Sequence, residues 1–336
     1  MFVPNLRRAA LPLLIALLAA ACGGTSTTAG SPSPNAPTAL SVSYSEVIPD
    51  ELAPWGAADG GYFKKHNLDV TLTSIASANG VAALLSGQVQ IAQLGGSEVV
   101  SAAAGGGDLV IVANLVPVFP YVFEVPTSIS SFNDLKGKKV GVSKVGGSAD
   151  IATRTALTKN GLDPAKDVTI VETGSAANRV AALRSGAIQG GVSQPPESTT
   201  LDQQGFHSIY DLAKQKLPAA NTVVATTGTY ARQHKAVVQA YIDALVETLA
   251  RIHKDKAFAE GVLTKWEKIT DQALLDGSYT FYTQEVFPQY PYPRPEQYQP
   301  AIDVLKKTNS KLASYDVSKT LDPSFVKSAN DRKLGG

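Results

Sequence analysis

Short apolar runs alternate with longer amphipathic stretches through the middle of this chain, and the alternation occurs twice. In the first half, residues 40–44, 70–72, 89–92 and 109–113 have the compact apolar pattern of buried strands, with helical spacing at 55–66, 80–85 and 98–104. In the second half, strands are predicted at 140–142, 168–171, 191–193 and 208–210, with helices at 149–159 and 176–184. Strands that alternate with helices predict parallel, doubly wound sheets. Beyond residue 229 the pattern becomes helical. Val238, Tyr241, Ile242, Leu245, Leu249 and Ile252 recur at three- and four-residue steps, which predicts one amphipathic helix with a buried face.

The two halves are related. VAALLSGQVQIAQLGGSE (81–98) aligns without gaps on VAALRSGAIQGGVSQPPE (180–197), with eight of eighteen positions identical and an offset of 99 residues. Ala78 and Asn79 fall on Ala177 and Asn178, and LSVSYSE (40–46) lies against VGVSKVG (140–146). Two copies at so long a period fit two similar α/β lobes rather than a solenoid. Apolar stretches near 121–125 and at 221–226 (NTVVAT) predict two crossings between the lobes. Lobe I would then hold residues 39–124 plus 223–336, and lobe II residues 125–222.

The N-terminus adds a location. Arg7 and Arg8, an apolar run at 9–18 and the small residues Ala19–Ala21 form the three parts of a secretory signal, expected over residues 1–21. The only cysteine, Cys22, follows at once, and LAAAC resembles a bacterial lipobox, which implies a lipid on Cys22. Residues 22–38 then form a flexible tether, since 23–38 (GGTSTTAGSPSPNAPT) carry no charge and no large apolar group. A single cysteine excludes an intramolecular disulfide. Of the 336 residues, 44% are hydrophobic and 18% charged, with a formal net charge of +1, so a sizeable core is available and nothing points to nucleic acid.

GYFKKHNLDVTLT (61–73), ALLSGQVQIAQLGGSE (83–98), DLKGKKVGVSKVGGS (134–148), LRSGAIQGGVSQPPE (183–197) and VVATTGTYARQHKAVVQAYIDAL (223–245) together resemble the solute-binding proteins of ABC importers. The resemblance is to the group that binds nitrate, alkanesulfonates, taurine and the pyrimidine precursor of thiamine, and it covers almost everything after the tether. It implies a type II periplasmic-binding-protein-like α/β fold, two doubly wound lobes joined by two crossing segments. It further implies a monomer that captures a small solute outside the cytoplasmic membrane and delivers it to a membrane permease served by a cytoplasmic ATPase, with no cofactor. An extracellular enzyme on the same scaffold is the alternative.

In open α/β sheets ligands bind beyond the carboxyl ends of the strands. That rule selects six loops. Lobe I offers Tyr44, Ser45 and Glu46, then Ser77 and Asn79, then Gly96, Ser97 and Glu98. Lobe II offers Gly146, Gly147 and Ser148, then Asn178, then Gln194, Pro195 and Glu197. Asn114, at the end of a predicted strand, is a further candidate. Helix N-termini would supply free N–H groups there, and glycines would let the backbone approach a ligand. Each residue has an equally plain structural role: Ser97 and Ser148 as helix caps, Asn79 and Asn178 in turns, Pro195 in a first helical turn. Glu46, Glu98 and Glu197 outnumber the bases Lys144 and Arg179, favouring a zwitterionic or neutral ligand, or one that donates hydrogen bonds. Tyr44, Trp55, Phe119, Tyr121 and Phe123 offer rings for stacking or for the core. Tyr290, Tyr292 and Tyr298, among four prolines, read as an ordered surface loop.

Catalytic signatures are lacking. GVSKVGGSADIAT (141–153) aligns on a P-loop, but Gly147 stands where the lysine is required. His66, His207, His234 and His253 are scattered, without metal-ligand spacing.

Overall fold

The computed structural model describes residues 36–336. The expected signal, Cys22 and all but the last residues of the tether lie outside the described residues. The strands are β1 (Thr38–Tyr44), β2 (Leu68–Ser74), β3 (Ile91–Leu94), β4 (Leu109–Val118), β5 (Val122–Pro126), β6 (Lys139–Val142), β7 (Thr169–Glu172), β8 (Gly190–Ser193), β9 (Phe206–Asp211) and β10 (Pro218–Thr227). The helices of the two repeated halves are α1 (Leu52–Asp59), α2 (Tyr62–Lys65), α3 (Ser77–Leu85), α4 (Gly96–Ala104), α5 (Ser148–Lys159), α6 (Ala176–Arg184) and α7 (Glu197–Asp202). The C-terminal helices are α8 (Gly228–Gln233), α9 (Lys235–Lys254), α10 (Lys256–Glu267), α11 (Gln272–Phe281), α12 (Gln299–Leu305) and α13 (Ser324–Asp331).

Two five-stranded sheets result, in the orders β2-β1-β3-β10-β4 and β7-β6-β8-β5-β9. They share one topology, as the internal repeat requires. Neither is wholly parallel: β10 runs antiparallel to β3 and β4, and β5 antiparallel to β8 and β9. Each antiparallel strand arrives from the other sheet, so its direction is set by the crossing and not by a strand–helix–strand unit. The chain crosses at residues 119–121 and again at 212–217, a few residues before the expected positions. Residues 122–124 therefore belong to the second sheet and 218–222 to the first, correcting the sequence-derived lobe edges.

The helix expected over residues 55–66 is broken in two. Gly61 takes a left-handed φ of 73°, which glycine adopts without strain, and α2 begins after it. Around α9 the expected stripe is buried: Val238, Tyr241, Ile242, Leu245, Leu249 and Ile252 pack with β1, β4 and α1 into the largest apolar cluster. Tyr44 belongs to this core, lying edge-on to Trp55 and Trp266, whose rings stack 5.3 Å apart.

The C-terminal region serves both sheets. On α12, Ala301 enters the apolar cluster of the second lobe, while Ile302 enters that of the first. The tyrosine-proline segment is only partly a surface loop: Arg294, Pro295 and Glu296 are exposed, but its ends are anchored in the interior. Tyr298 is fully buried, the Pro291 carbonyl accepts a bond from the Asn114 N–H, and the Tyr290 hydroxyl donates to the Leu334 carbonyl.

One buried group makes stability depend on pH. Glu124 on β5 is fully buried with neither carboxylate oxygen hydrogen-bonded, and burial, with Asp202 nearby, pushes its pKa from 4.5 to about 8. The folded state holds that proton at pH values where the unfolded chain has lost it. Stability is therefore full below about pH 4.5 and falls as pH rises through about 8. Glu124→Gln keeps the shape and removes this loss. Urea unfolding at pH 6 and pH 9 should show a smaller difference for the variant than for the parent chain. A slope remains, because Glu51 and Glu267 are raised to about 8 and about 9 in the same way; an unchanged difference would clear Glu124 of this role.

Candidate functional site

A cleft of about 130 Å³ opens where the carboxyl ends of both parallel strand sets meet. An apolar cavity of about 150 Å³ accommodates benzene, so the space suits a molecule of that size. The loop after β1 brings Ser45 and Glu46, the start of α3 brings Ser77, and the turn into α4 brings Gly95 and Glu98. From the other lobe come Ser143, Lys144, Gly147, Ser148, Gly174, Ala176 and Arg179, with Gln194 at the end of β8. Tyr121, on the first crossing, and Asn221 and Thr222, at the start of β10, complete the lining.

Two charged groups outside the sixteen candidates organise this space. The first is Asp50, fully buried in the turn after β1. Its carboxylate accepts from Asn221 Nδ2 at 2.6 Å, Thr222 Oγ1 at 3.0 Å, the Tyr282 hydroxyl at 2.6 Å and Gln194 Nε2 at 3.2 Å. Burial pushes its pKa up, and the four donors oppose that shift. The second is Arg179 on α6. Its side chain lies over Gly141 and Gly191, where a β-carbon would come within 3.4 and 3.3 Å of its stem. Nε donates to the Val192 carbonyl and Nη1 to Ser143 Oγ, both at 2.5 Å. Among the described residues no carboxylate pairs with it. Burial pulls its pKa down, opposed by Tyr121, Glu46 and Glu197.

The two jaws have opposite sign. Lobe II presents Arg179, Lys144 and the N-termini of α5 and α6, and lobe I presents Glu46, Asp50 and Glu98. The Glu98 oxygens accept from the hydroxyls of Ser77 and Ser97 in their own lobe. Burial pushes the Glu46 pKa up, while Arg179 and the Ala176 N–H of the opposite lobe draw it back. Glu51, directly behind, accepts from both the N–H and the hydroxyl of Ser45 and so fixes that loop.

Of the sixteen ligand candidates, Ser45, Glu46, Ser77, Glu98, Gly147, Ser148 and Gln194 come together in the cleft. The other nine do not line it. Tyr44 is core. Asn79 and Asn178 sit exposed on α3 and α6. Gly96 and Ser97 are buried beneath the lining, where a β-carbon on Gly96 would collide with Ala220. Asn114 is buried and donates to the Ala219 carbonyl and to Gln297 Oε1, because its strand runs past the cleft into the core. Gly146 faces away into a second groove. Pro195 is buried, and Glu197 starts α7 half-buried outside the lining.

The P-loop-like passage is no phosphate cradle. The N–H of Val145 donates to Glu172, that of Gly146 to Asp150 and that of Gly147 to the Lys144 carbonyl. Three successive donors are consumed within the lobe. Asp50 left little trace in the sequence, but Arg179 left one: the 99-residue offset sets it opposite Gly80, a charged residue where its repeat copy has none.

Residues 53–257, more than half of the chain, match the family described as NMT1/THI5 like, and the chain belongs to that family. No curated protein sequence matches it. Among solved structures it is similar to the periplasmic aliphatic sulphonate binding protein SsuA from Escherichia coli, at 21% identity and a TM-score of 0.70, covering 87% of this chain and 100% of that one. The periplasmic nitrate-binding protein NrtA from Synechocystis PCC 6803 is similar at 16% identity and a TM-score of 0.73, covering 89% and 90% of the two chains. The alkanesulfonate-binding protein SsuA from Xanthomonas axonopodis pv. citri bound to MOPS gives 17% identity and a TM-score of 0.69, covering 85% and 99%. The fold is thus that of the periplasmic binding proteins.

Asp50→Asn tests the central node. The amide nitrogen would face donors that have lost their acceptor, which costs about 1–3 kcal/mol. The expected result is a lower urea midpoint with Gln194 and Asn221 loosened in amide exchange; an unchanged midpoint would show that the node contributes little.

Proposed function

We propose that this protein is the extracytoplasmic solute-binding component of an ABC import system, holding a small solute between its lobes and presenting it to a membrane permease. The observation that carries this reading is Arg179: a buried, unpaired guanidinium lining a cleft whose opposite jaw carries Glu46 and Glu98. A charge desolvated at that cost is recovered when an anionic group arrives to pair with it. The preferred solute is a small organic molecule with an oxyanion directed at Arg179 and a hydrogen-bond donor directed at the lobe I carboxylates. Aminosulfonates and N–H-bearing heterocycles fit this demand, and the sulfonate- and nitrate-binding neighbours are consistent with the anionic half of it.

The same reading makes the protein a monomeric receptor without chemistry of its own. The cleft hydroxyls are occupied in bonds to carboxylates, a carbonyl or the guanidinium, as with Ser45, Ser77, Ser148 and Ser143, and none is bonded to a histidine base. Residues 1–21 would be the removed signal, lipid on Cys22 would hold the tether at the outer face of the membrane, and the crossings at 119–121 and 212–217 would flex as the lobes close.

Native mass spectrometry of protein purified from its own host should find one small molecule retained, and small-angle scattering should show that it compacts the protein. Gly147→Asp is the matched control. Its φ of −84° accepts a side chain, whose β-carbon would lie 3.7 Å from Glu98 Oε1, so the new carboxylate would enter the cleft beside an existing one. Affinity should fall by about 100-fold or more, about 2.7 kcal/mol, with the urea midpoint kept. Undiminished affinity in this variant, or a ligand that leaves the scattering profile unaltered, would overturn the two-jawed trap.

A further inference from the structure

A second and larger space, of about 650 Å³, lies on the other side of the loop that precedes α5. Its walls are α5 of lobe II and α12 of the C-terminal region, and its floor is made by Phe119, Leu217 and Pro218 at the two crossings. The volume falls in the range of about 300–1,000 Å³ usual for small-molecule sites. Pro164, Pro300, Val304 and Leu305 give it an apolar interior, and Val145, 50% exposed, stands at its edge.

Three of its four lining carboxylates are already engaged. Asp150 is occupied by Arg154 Nε at 2.7 Å and by the Gly146 N–H at 2.9 Å. Asp163 accepts from the Ala165 N–H and pairs with Lys166, and Asp303 pairs with Lys306 and accepts from Gln299. Glu296 is the remaining carboxylate, and it is exposed. Lys159 and Lys307 line the groove without a close ion pair among the described residues, although Lys307 lies near enough to Asp163 and Asp303 to help hold their carboxyls below the usual range.

We propose that this groove is a second ligand site, for an amphipathic anion with an apolar body and one carboxylate or sulfonate that Lys159 and Lys307 receive. It does not rest on the solute-binding reading. It would, however, bear on the same loop: Val145 and Gly146 line the groove, while Lys144, Gly147 and Ser148 line the cleft. The two sites thus share one short segment, tied down at Glu172 and Asp150.

The probe is 8-anilinonaphthalene-1-sulfonate, titrated by fluorescence against the full chain, with uncharged N-phenyl-1-naphthylamine as its counterpart. One saturable site is expected for the sulfonate. The exposed double substitution Lys159→Glu with Lys307→Glu should weaken it about tenfold or more and leave the uncharged probe unchanged. Thr155→Trp, which fills the groove from α5, should weaken both probes. Hydrogen exchange should show protection at 150–165 and 296–308. The proposal falls if neither probe saturates, if neither variant weakens the sulfonate, or if protection appears only at 45–50 and 143–149, which would put the probe in the cleft.

Discussion

The arrangement of the two lobes depends on one buried carboxylate. Among the described residues Asp50 forms no ion pair and instead gathers four neutral donors, from β10, from the end of β8 and from the segment after α11. Hydrogen bonds to a charged group are each worth about 1.5–3 kcal/mol, so the set opposes the cost of burial only while all three segments stay in place. Gln194 is the one donor that belongs to lobe II, and it also donates to the Tyr282 hydroxyl. The junction between lobes is thus a polar knot sited at the cleft wall, and the cleft inherits its geometry.

Local order was legible in the sequence because it rests on local rules. The period-two and period-3.6 patterns gave most strands and helices within a few residues, and the 99-residue repeat anticipated two sheets of one topology. The direction of β5 and β10 was not legible, because it comes from crossing between sheets. Seven candidate residues reached the cleft because loops at the carboxyl ends of strands must face it. Asn114 did not, since a strand-end position alone does not say which way the strand continues. Asp50 was not among the candidates for a stronger reason: its partners lie 144 to 232 residues away in sequence, and no spacing rule reaches that far.

The charge reading changed most. Counted along the loops, acids outnumber bases. In three dimensions the Glu98 oxygens receive serine hydroxyls, the Asp50 oxygens receive neutral donors, and Arg179 keeps no carboxylate partner. The local excess of acids therefore overstates the negative charge left for a ligand. What decides is which charge remains uncompensated after the protein has satisfied itself, and in lobe II that charge is positive. The loop at 144–148 makes the same point with backbone groups: it has the composition of an anion cradle, but its donors are directed inward.

The division of α12 between two cores bears on how such a protein can evolve. Lobe II strands are contiguous in sequence, from β5 to β9, and on a linear map they form a detachable module. In packing they are not, because Ala301 and the neighbouring Val304 and Leu305 complete that lobe's apolar cluster from a helix encoded far downstream. A transplanted or duplicated segment from 122 to 211 would carry an uncovered apolar face. A segment exchanged from the middle of the gene alone would therefore have to fit an α12 surface encoded far downstream of the lobe that it completes.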